Sequence, residues 1–304
     1  MTEEITVGQQ TVRIPNAGKV LFPDDGITKE DLVRYYADAA GRMLPWLRDR
    51  PITMMRYPDG LEGQRIVQKN VPAYFPDWIH RVAVPKEGGV VEQAVCDKPA
   101  DLAYLASQAC IEVHGLTSRT DQLQAPDQLV FDFDPPDNKH FEQVRHAALW
   151  ARQLLDDELG LTSYVRTTGG RGLHVHIALD RRSGFDPVRD FTHQVATVLA
   201  SRHPDVITAE QRKDKRGERV YVDIMRNAYA QTVVALYAVR ARPGALVSTP
   251  LSWPEVEDSG LEPGQFSLST IRPRLESADD PWAGFTRARY GLGQASKRLA
   301  ELSA

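Results

Sequence analysis

The sequence has only two cysteines, Cys96 and Cys110, and they lie far apart in the chain. Two thiols exclude a disulfide-stapled scaffold and any zinc site built on four cysteines. A chain of 304 residues buries enough apolar surface to fold without such crosslinks. This cysteine content is typical of proteins from a reducing compartment, so we expect a cytoplasmic protein.

Long apolar runs are also missing. The longest uncharged apolar stretch, Asn227–Val239, is shorter than the roughly 20 residues that a membrane-spanning helix needs. The first residues, MTEEITVGQQ, contain neither the basic nor the apolar segment of a secretory signal. No internal repeat of about 20–50 residues is visible, which argues against solenoids and propellers. These absences predict a globular protein without a membrane partner.

Positive charge is not in excess, since 37 basic residues oppose 41 acidic ones and the net charge is −4. Many nucleic-acid-binding domains are strongly basic, so the overall charge argues against such a partner. Net charge is an average, however, and local basic patches can still bind a polyanion. The segment Gln211–Arg219 is such a patch, with five Lys and Arg residues and two acidic ones. Charge runs are usually solvated surface segments, and this more common explanation fits the same residues.

Helical and strand patterns alternate irregularly along the chain, which predicts an α+β or mixed α/β fold. Thr28 and Asp31 form a capping-box pattern at the start of a helix that we expect to end before Pro45. The predicted helices are Thr28–Leu44, Pro99–Ala109, Phe141–Leu159 and Pro187–Ser201. The predicted strands are Ile52–Tyr57, Arg65–Gln68, Ile79–Val84, Val90–Cys96, Cys110–His114, Gln128–Asp134, Ser163–Thr167, Gly172–Leu179, Val220–Ile224 and Leu236–Arg242. We expect one two-lobed domain over residues 1–304, with a soft boundary near residues 116–126.

Two acidic residues, Asp132 and Asp134, interrupt the apolar strand pattern over Leu129–Phe133. Side chains alternate along a strand, so the two carboxylates share one face and the aromatic residues share the other. Neighbouring carboxylates repel each other unless a cation lies between them, and hard oxygen ligands suit Mg²⁺ or Mn²⁺. A strand end whose acids face water is an equally good explanation.

A third acid, Asp223, follows the apolar segment Val220–Val222. Three carboxylates are what a two-metal site needs to neutralise its cations. Asp223 alone is also explained by an ordinary surface pair with Arg226.

Glycines are concentrated in the segment Thr167–His176, where three of them surround Arg171. Such a turn lets successive backbone N–H groups converge on an anion, and arginine adds a bidentate phosphate partner. The Lys-Ser/Thr pair of a Walker A loop is missing. A simple hairpin loop, or zinc bound by His174 and His176, would fit the same residues. Together with the acids, the loop indicates metal-dependent phosphoryl chemistry on a polyanion.

The motifs DFDPP, TTGGRGLHVH, VDIMRN and ALYAVRARPGALVSTPLSW, with NAGKVLFP near the start, occur in a characteristic order. In this order they resemble the archaeo-eukaryotic primase superfamily, and more closely the polymerase domain of the bacterial end-joining ligase D and its stand-alone relatives. The resemblance runs from about Val12 to about Leu292. It implies an RRM-like catalytic sheet joined to a second α/β lobe.

The resemblance also implies the activity, a DNA-directed nucleotidyl transfer that extends primers and fills short gaps during DNA repair. It implies a preference for ribonucleotides and a two-metal mechanism with Mn²⁺ or Mg²⁺. The implied metal ligands are Asp132, Asp134 and Asp223. The implied nucleotide contacts are His114, Thr168, Arg171, His174 and Arg240, and the implied contacts to a DNA 5′-phosphate are Lys19 and Lys29.

Contacts to the template strand are implied for Arg56, Arg65, Ile66 and Val67. Relatives usually carry an aromatic pair where Ile66 and Val67 stand, so this chain lacks the stacking of about 1–3 kcal/mol per base that aromatic rings provide. Relatives also commonly have a lysine where Met55 stands.

The expected partners are gapped or broken DNA with a 5′-phosphate, NTP or dNTP, a repair ligase and Ku, in the nucleoid region of the cytoplasm. Two other functions fit the same residues. One is a metal-dependent phosphoesterase that uses His174, His176 and the acids. The other is a non-catalytic module that binds DNA ends.

Overall fold

The computed structural model describes residues 2–302 of the chain. Its elements follow one another in this order: β1 (Glu3–Val7), β2 (Gln10–Ile14), β3 (Val20–Phe22), β4 (Ile27–Thr28), α1 (Lys29–Leu47), β5 (Pro51–Arg56), β6 (Ile66–Gln68), β7 (His80–Lys86), β8 (Gly89–Val95), α2 (Pro99–Ser107), β9 (Cys110–Leu116), β10 (Ser118–Arg119), β11 (Gln122–Pro126), β12 (Gln128–Asp134), α3 (Phe141–Arg152), β13 (Ser163–Thr167), β14 (Leu173–Ala178), α4 (Phe185–Arg202), β15 (Ile207–Thr208), β16 (Val220–Asp223), β17 (Thr232–Val234), β18 (Pro250–Leu251), α5 (Trp253–Glu257), α6 (Arg272–Glu276) and α7 (Gly293–Leu302). The predicted α+β class is confirmed. Among these helices, none combines the length and the apolar character needed to cross a membrane.

The chain forms two compact units. The first contains residues 2–121, Thr232–Ser248 and Phe266–Ser277, and the second contains Gln122–Gln231, Thr249–Gln265 and residues 278–302. That the two units act as one two-lobed domain stays a prediction.

The first unit is built around an antiparallel sheet with the strand order β17-β9-β5-β8-β7. The short strand β6 also pairs with β5. Helices α1 and α2 pack against each other. Helix α1 starts at the predicted capping box, in which the Thr28 and Asp31 side chains bond each other's backbone N–H groups. The helix continues through Pro45 to Leu47, contrary to our expectation, because the Arg48 N–H still donates to the Leu44 carbonyl and closes the last turn.

The strand predicted at Leu236–Arg242 is wrong. The strand of this region is β17, which ends at Val234, and Tyr237 has a φ of 60°. A left-handed residue interrupts an extended backbone. The Tyr237 N–H instead donates to the Ser248 carbonyl, and the Tyr35 hydroxyl donates to the Tyr237 carbonyl. Residues 235–242 thus form an irregular segment tied to α1.

The second unit contains a six-stranded sheet with the order β15-β16-β12-β14-β13-β18. Its pairs are antiparallel except that β15 runs parallel to β16. The apolar side chains Leu129, Phe131 and Phe133 of β12 are fully buried, as their alternation predicts. Helices α3 and α4 contact this central strand. The helix predicted to reach Leu159 is regular only to Arg152, and a π-helical segment, Gln153–Glu158, follows it.

Candidate metal centre and anion-binding residues

Three carboxylates meet at the centre of the second unit's sheet. Asp132 of β12 is the Cα partner of Asp223 of β16, and Asp134 lies two residues farther along β12 on the same face. Ligand oxygens of all three lie within 4.8 Å of one another. Asp132 is buried, Asp223 is half-buried, and Asp134 at the end of its strand is the most exposed of the three side chains. The arrangement presents three hard oxygen donors to one point.

The ionisation of this triad is unfavourable. Reduced hydration of the Asp134 carboxyl, together with the negative charges of Asp132 and Asp223, raises its pKa to about 7. Burial also raises the pKa of Asp223, although its Oδ1 accepts a 2.7 Å hydrogen bond from the Met225 N–H. A divalent cation would remove this repulsion, and carboxylate oxygens are the donors that Mg²⁺ and Mn²⁺ prefer. The residues therefore fit the predicted metal.

An imidazole ring and a guanidinium group lie next to the Asp132 carboxylate. The His174 Nε2 atom is 3.2 Å from Asp132 Oδ1, and the Arg226 Nε atom is 3.8 Å from Asp132 Oδ2. The sequence predicts Arg226 as an ion-pair partner of Asp223, and the structure places its Nε atom beside Asp132. Its place three residues after an acidic strand end is the signal that could have included it in the site.

The glycine-rich loop Thr168–Gly172 connects β13 to β14 beside the triad. The Thr168 N–H donates to the Gly172 carbonyl at 3.1 Å, and the Gly172 N–H donates to Thr168 Oγ1 at 3.3 Å. A Cβ atom on Gly172 would lie 2.4 Å from the Phe133 carbonyl oxygen, so only glycine fits this approach to β12. Arg171 is exposed, and its charge reaches Asp134. The structure thus brings Thr168, Arg171 and His174 together with the acids.

A buried arginine, Arg166, lies beside the predicted site but was not among the predicted residues. Its Nη2 atom is 2.8 Å from His174 Nδ1, and its Nε atom donates to His176 Nε2 at 3.1 Å. The other ring nitrogen of His176 lies 3.0 Å from Gln128 Oε1. Within residues 2–302, the group with metal-ligand spacing consists of three aspartates and includes no histidine. The geometry gives no support to the alternative of zinc bound by His174 and His176.

The remaining two predicted nucleotide contacts, His114 and Arg240, lie together in the first unit. The buried Glu112 carboxylate joins them, with Oε2 at 2.8 Å from His114 Nε2 and Oε1 at 3.2 Å from Arg240 Nε. The Ala241 N–H donates to the same Oε1 at 2.9 Å. Burial alone would raise the pKa of Glu112, but the His114 hydrogen bond and the Arg240 charge prevail and lower it to about 2. Glu112, absent from our predicted site, holds both residues.

The two lysines predicted to bind a 5′-phosphate are also in the first unit. Burial lowers the pKa of Lys29, and the nearby charges of Lys19 and Arg56 lower it further. The Lys29 ammonium donates to the Pro15 carbonyl at 2.6 Å, and Lys19 pairs with Asp59 at 2.8 Å. Three cations therefore lie within electrostatic reach of one another.

The predicted template contacts are spread along β5 and β6. Arg56 donates to the Gln108 carbonyl and to Gln68 Oε1, so its guanidinium is held within the unit. Arg65 is exposed, and Ile66 and Val67 are 40% and 49% exposed. Their roles stay predictions, and the exposure leaves both apolar side chains accessible to a ligand.

The basic segment Gln211–Arg219 is partly structural. Arg216 stacks on Tyr221 at 3.6 Å and donates to the Glu210 carbonyl, and Arg219 donates to the Lys215 carbonyl. Arg212 pairs with Asp214. These contacts favour the interpretation as a self-supporting surface loop.

Comparison with known proteins reveals extended similarity. The family model "LigD, primase-polymerase domain" matches residues 28–282. The polymerase domain of Mycobacterium tuberculosis ligase D, solved in complex with DNA, superposes with a TM-score of 0.85 at 29% identity, over 93% of this chain and 100% of that one.

Curated relatives agree. The bifunctional non-homologous end joining protein LigD of Bacillus subtilis is 30% identical over 88% of this chain and 43% of its own length. The multifunctional non-homologous end joining protein LigD of Pseudomonas aeruginosa is 31% identical over 94% of this chain and 34% of its own length. The chain thus spans less than half the length of these relatives.

Proposed function

The chain belongs to the family of LigD primase-polymerase domains, and on this basis we propose that it extends primers and fills short gaps in DNA. The family consists of nucleotidyltransferases, so the predicted enzyme class is confirmed. The observation that carries the proposal is the triad of Asp132, Asp134 and Asp223, whose oxygens lie within 4.8 Å of one another.

The triad would hold Mn²⁺ or Mg²⁺. When bound there, two such cations would lower the pKa of a primer 3′-hydroxyl and would stabilise a pyrophosphate leaving group. The carboxylates of Asp132, Asp134 and Asp223 supply the negative charge that retains the cations. Burial of Asp132 and its contact with His174 hold that ligand in place.

We assign binding of the incoming triphosphate to basic side chains and backbone N–H groups. Thr168 and Arg171 belong to a loop that glycine brings close to β12, and its backbone can donate to phosphate oxygens. Arg171 offers a bidentate guanidinium that offsets charge on the phosphates during transfer. We assign His114 and Arg240 the same substrate, in the orientation that Glu112 gives them. Ribonucleotides are the proposed preference.

The DNA substrate is a gap or break with a 5′-phosphate, which Lys19 and Lys29 would bind. The solved relative is a complex with DNA, and the curated relatives are named end joining proteins. A repair ligase and Ku are the partners we propose on this ground. Arg56, Arg65, Ile66 and Val67 are the proposed contacts to the template.

One assay tests the proposal. A labelled gapped duplex is incubated with each NTP and dNTP, with Mn²⁺ or Mg²⁺, and primer growth is measured. We expect Asp132→Ala and Asp134→Ala to abolish extension while gapped-DNA binding stays nearly intact, and the exposed-residue control Asp157→Ala to extend normally. Normal extension by either triad variant would contradict the proposal. Phosphate release without primer growth would indicate a phosphoesterase, and tight end binding without turnover would indicate a silent module.

A further inference from the structure

The most deeply buried charge of the second unit's sheet is the guanidinium of Arg166, which is 1% exposed. Arginine is almost never fully buried unless its donors are bonded. Here they meet two histidine rings, His174 at 2.8 Å and His176 at 3.1 Å. We propose that Arg166 is a positioning residue that fixes the orientation and tautomer of His174, so that the Nε2 side of the ring faces Asp132 Oδ1 at 3.2 Å.

The strand register supports this assignment. Arg166 is the Cα partner of His174, His174 is the partner of Asp132, and Asp132 is the partner of Asp223. Four neighbouring strands, β13, β14, β12 and β16, thus place these residues in one row across the sheet. Side chains at paired positions stand on the same face and contact each other directly. The row connects a buried cation to the carboxylates through one imidazole ring.

Hydrogen-bond chemistry then decides the histidine tautomers. A guanidinium has only N–H donors, so the ring nitrogens that face Arg166 must be acceptors. His174 therefore carries its proton on Nε2, which lies 3.2 Å from Asp132 Oδ1. His176 carries its proton on Nδ1, which lies 3.0 Å from Gln128 Oε1. Arg166 sets both rings at once.

The consequence concerns the metal ligand. An imidazole N–H held 3.2 Å from Asp132 Oδ1 favours one orientation of that carboxylate. Outer groups of this kind typically change metal affinity by about 10–100-fold when they are removed. This inference rests on the proposed function, because it assumes that Asp132 binds the cation. It adds that part of the affinity for the cation depends on Arg166, which lies two strands away from Asp132 and does not itself bind the metal.

The first test measures binding of Mn²⁺ alone, by electron paramagnetic resonance of the free ion, without nucleotide or DNA. Arg166→Met removes the donors and keeps an unbranched side chain. We expect it to weaken Mn²⁺ binding about tenfold or more. Arg145→Met is the matched control, since Arg145 is also buried in the second unit but donates to the Val256 and Glu257 carbonyls. The control should bind Mn²⁺ like the wild type.

The second test observes the tautomer by nitrogen-15 NMR of the histidine rings. In the wild type we expect Nδ1 of His174 to be unprotonated, and in Arg166→Met we expect a mixture of tautomers. Unchanged Mn²⁺ affinity together with an unchanged His174 spectrum in the variant would overturn the inference.

If Arg166→Met fails to fold, Arg166→Lys replaces it, because lysine keeps the charge but not the two-pronged donor geometry. Weaker Mn²⁺ binding or an altered His174 spectrum in that variant supports the inference. If Mn²⁺ binding and the His174 spectrum are both unchanged, the inference is overturned. Absence of Mn²⁺ binding by the wild type would contradict the proposed function instead. The NMR spectrum would still decide the role of Arg166.

Discussion

Asp132 and Asp223 lie directly opposite each other on the neighbouring antiparallel strands β12 and β16. Like charges at such positions destabilise a sheet, and Asp134 adds a third carboxylate to the same face. The fold therefore concentrates electrostatic repulsion where the proposed function needs a cation. This relationship makes stability, pH and metal binding depend on one another.

Replacing Asp134 by asparagine should stabilise the metal-free protein. The pKa of Asp134 is raised from 3.8 to about 7, because its ionised form is disfavoured in the folded protein. The free energy of unfolding is therefore unaffected by this group below about pH 4, falls as the pH rises from 4 through 7, and stays lowered above that pH. At pH 8 we expect Asp134→Asn to gain about 1 kcal/mol over the wild type, a figure reduced for solvent screening. Urea denaturation in EDTA at pH 5 and pH 8 measures the difference.

The same variant should lose the stabilisation that Mn²⁺ gives the wild type. Asp157→Asn, an exposed control in the same unit, should show neither effect. If the difference in unfolding free energy between the wild type and Asp134→Asn is the same at pH 5 and pH 8, the electrostatic account is contradicted.

Gly172→Ala should disturb the metal centre from outside it. The new Cβ would lie 2.4 Å from the Phe133 carbonyl, between the two acids of β12, and the backbone must move to relieve this overlap. We expect a loss of about 1–3 kcal/mol in the free energy of unfolding, together with weaker Mn²⁺ binding. Gly41→Ala is the control, because Gly41 lies in α1 with open space around its Cβ position, and alanine there should be neutral or stabilising. Equal stability of the two variants would contradict the close approach.

In the wild type, the Asp59 carboxylate lies 2.8 Å from the Lys19 ammonium and should compete with a DNA phosphate for it. Asp59→Asn frees the ammonium group and should tighten binding of 5′-phosphorylated gapped DNA by up to about fivefold, as expected for an exposed ion pair. Lys19→Ala combined with Lys29→Ala should remove the advantage of the phosphate. Fluorescence anisotropy on gaps with and without the 5′-phosphate measures both. Equal losses on the two DNAs would refute the assignment of the lysines.

Glu112→Gln should impair nucleotide use through His114 and Arg240. We expect the KM for the nucleotide to rise about tenfold while gapped-DNA affinity is unchanged, since the carboxylate orients His114 by a hydrogen bond and Arg240 by an ion pair. The exposed Glu62→Gln is the control. An unchanged KM in Glu112→Gln would show that the carboxylate has no role in nucleotide use.

Glu112 also predicts a pH dependence of stability. Its pKa is lowered from 4.5 to about 2, so its contribution is present above pH 4.5 and is lost as the pH falls towards 2. Glu112→Gln should therefore be less stable than the wild type by about 1–3 kcal/mol at pH 7, and the difference should narrow as the pH is lowered towards 3. Urea denaturation across this range tests it.

The strands that carry the triad could be predicted because their physics is local. Gln128–Asp134 and Ser163–Thr167 have the bounds that apolar alternation predicts. The acids stood out in β12 because carboxylates rarely interrupt such a strand. The motif order then predicted the family, which the matches confirm.

Residues whose meaning depends on partners far along the chain could not be predicted. Arg166 in a strand looks like a surface residue until β14 brings two histidines against it. Glu112 joins His114 to Arg240 across more than a hundred positions. The left-handed Tyr237, which ended the predicted strand at Leu236–Arg242, depends on its bonds to Tyr35 and Ser248.

The crowding of carboxylates at β12 and β16 should also affect how long the protein persists in the cell. A folded chain depleted of divalent cation should open more often, and brief opening exposes the backbone to proteases. The supply of free Mn²⁺ or Mg²⁺ would then influence cellular turnover of the chain, so metal starvation should lower its abundance as well as its activity.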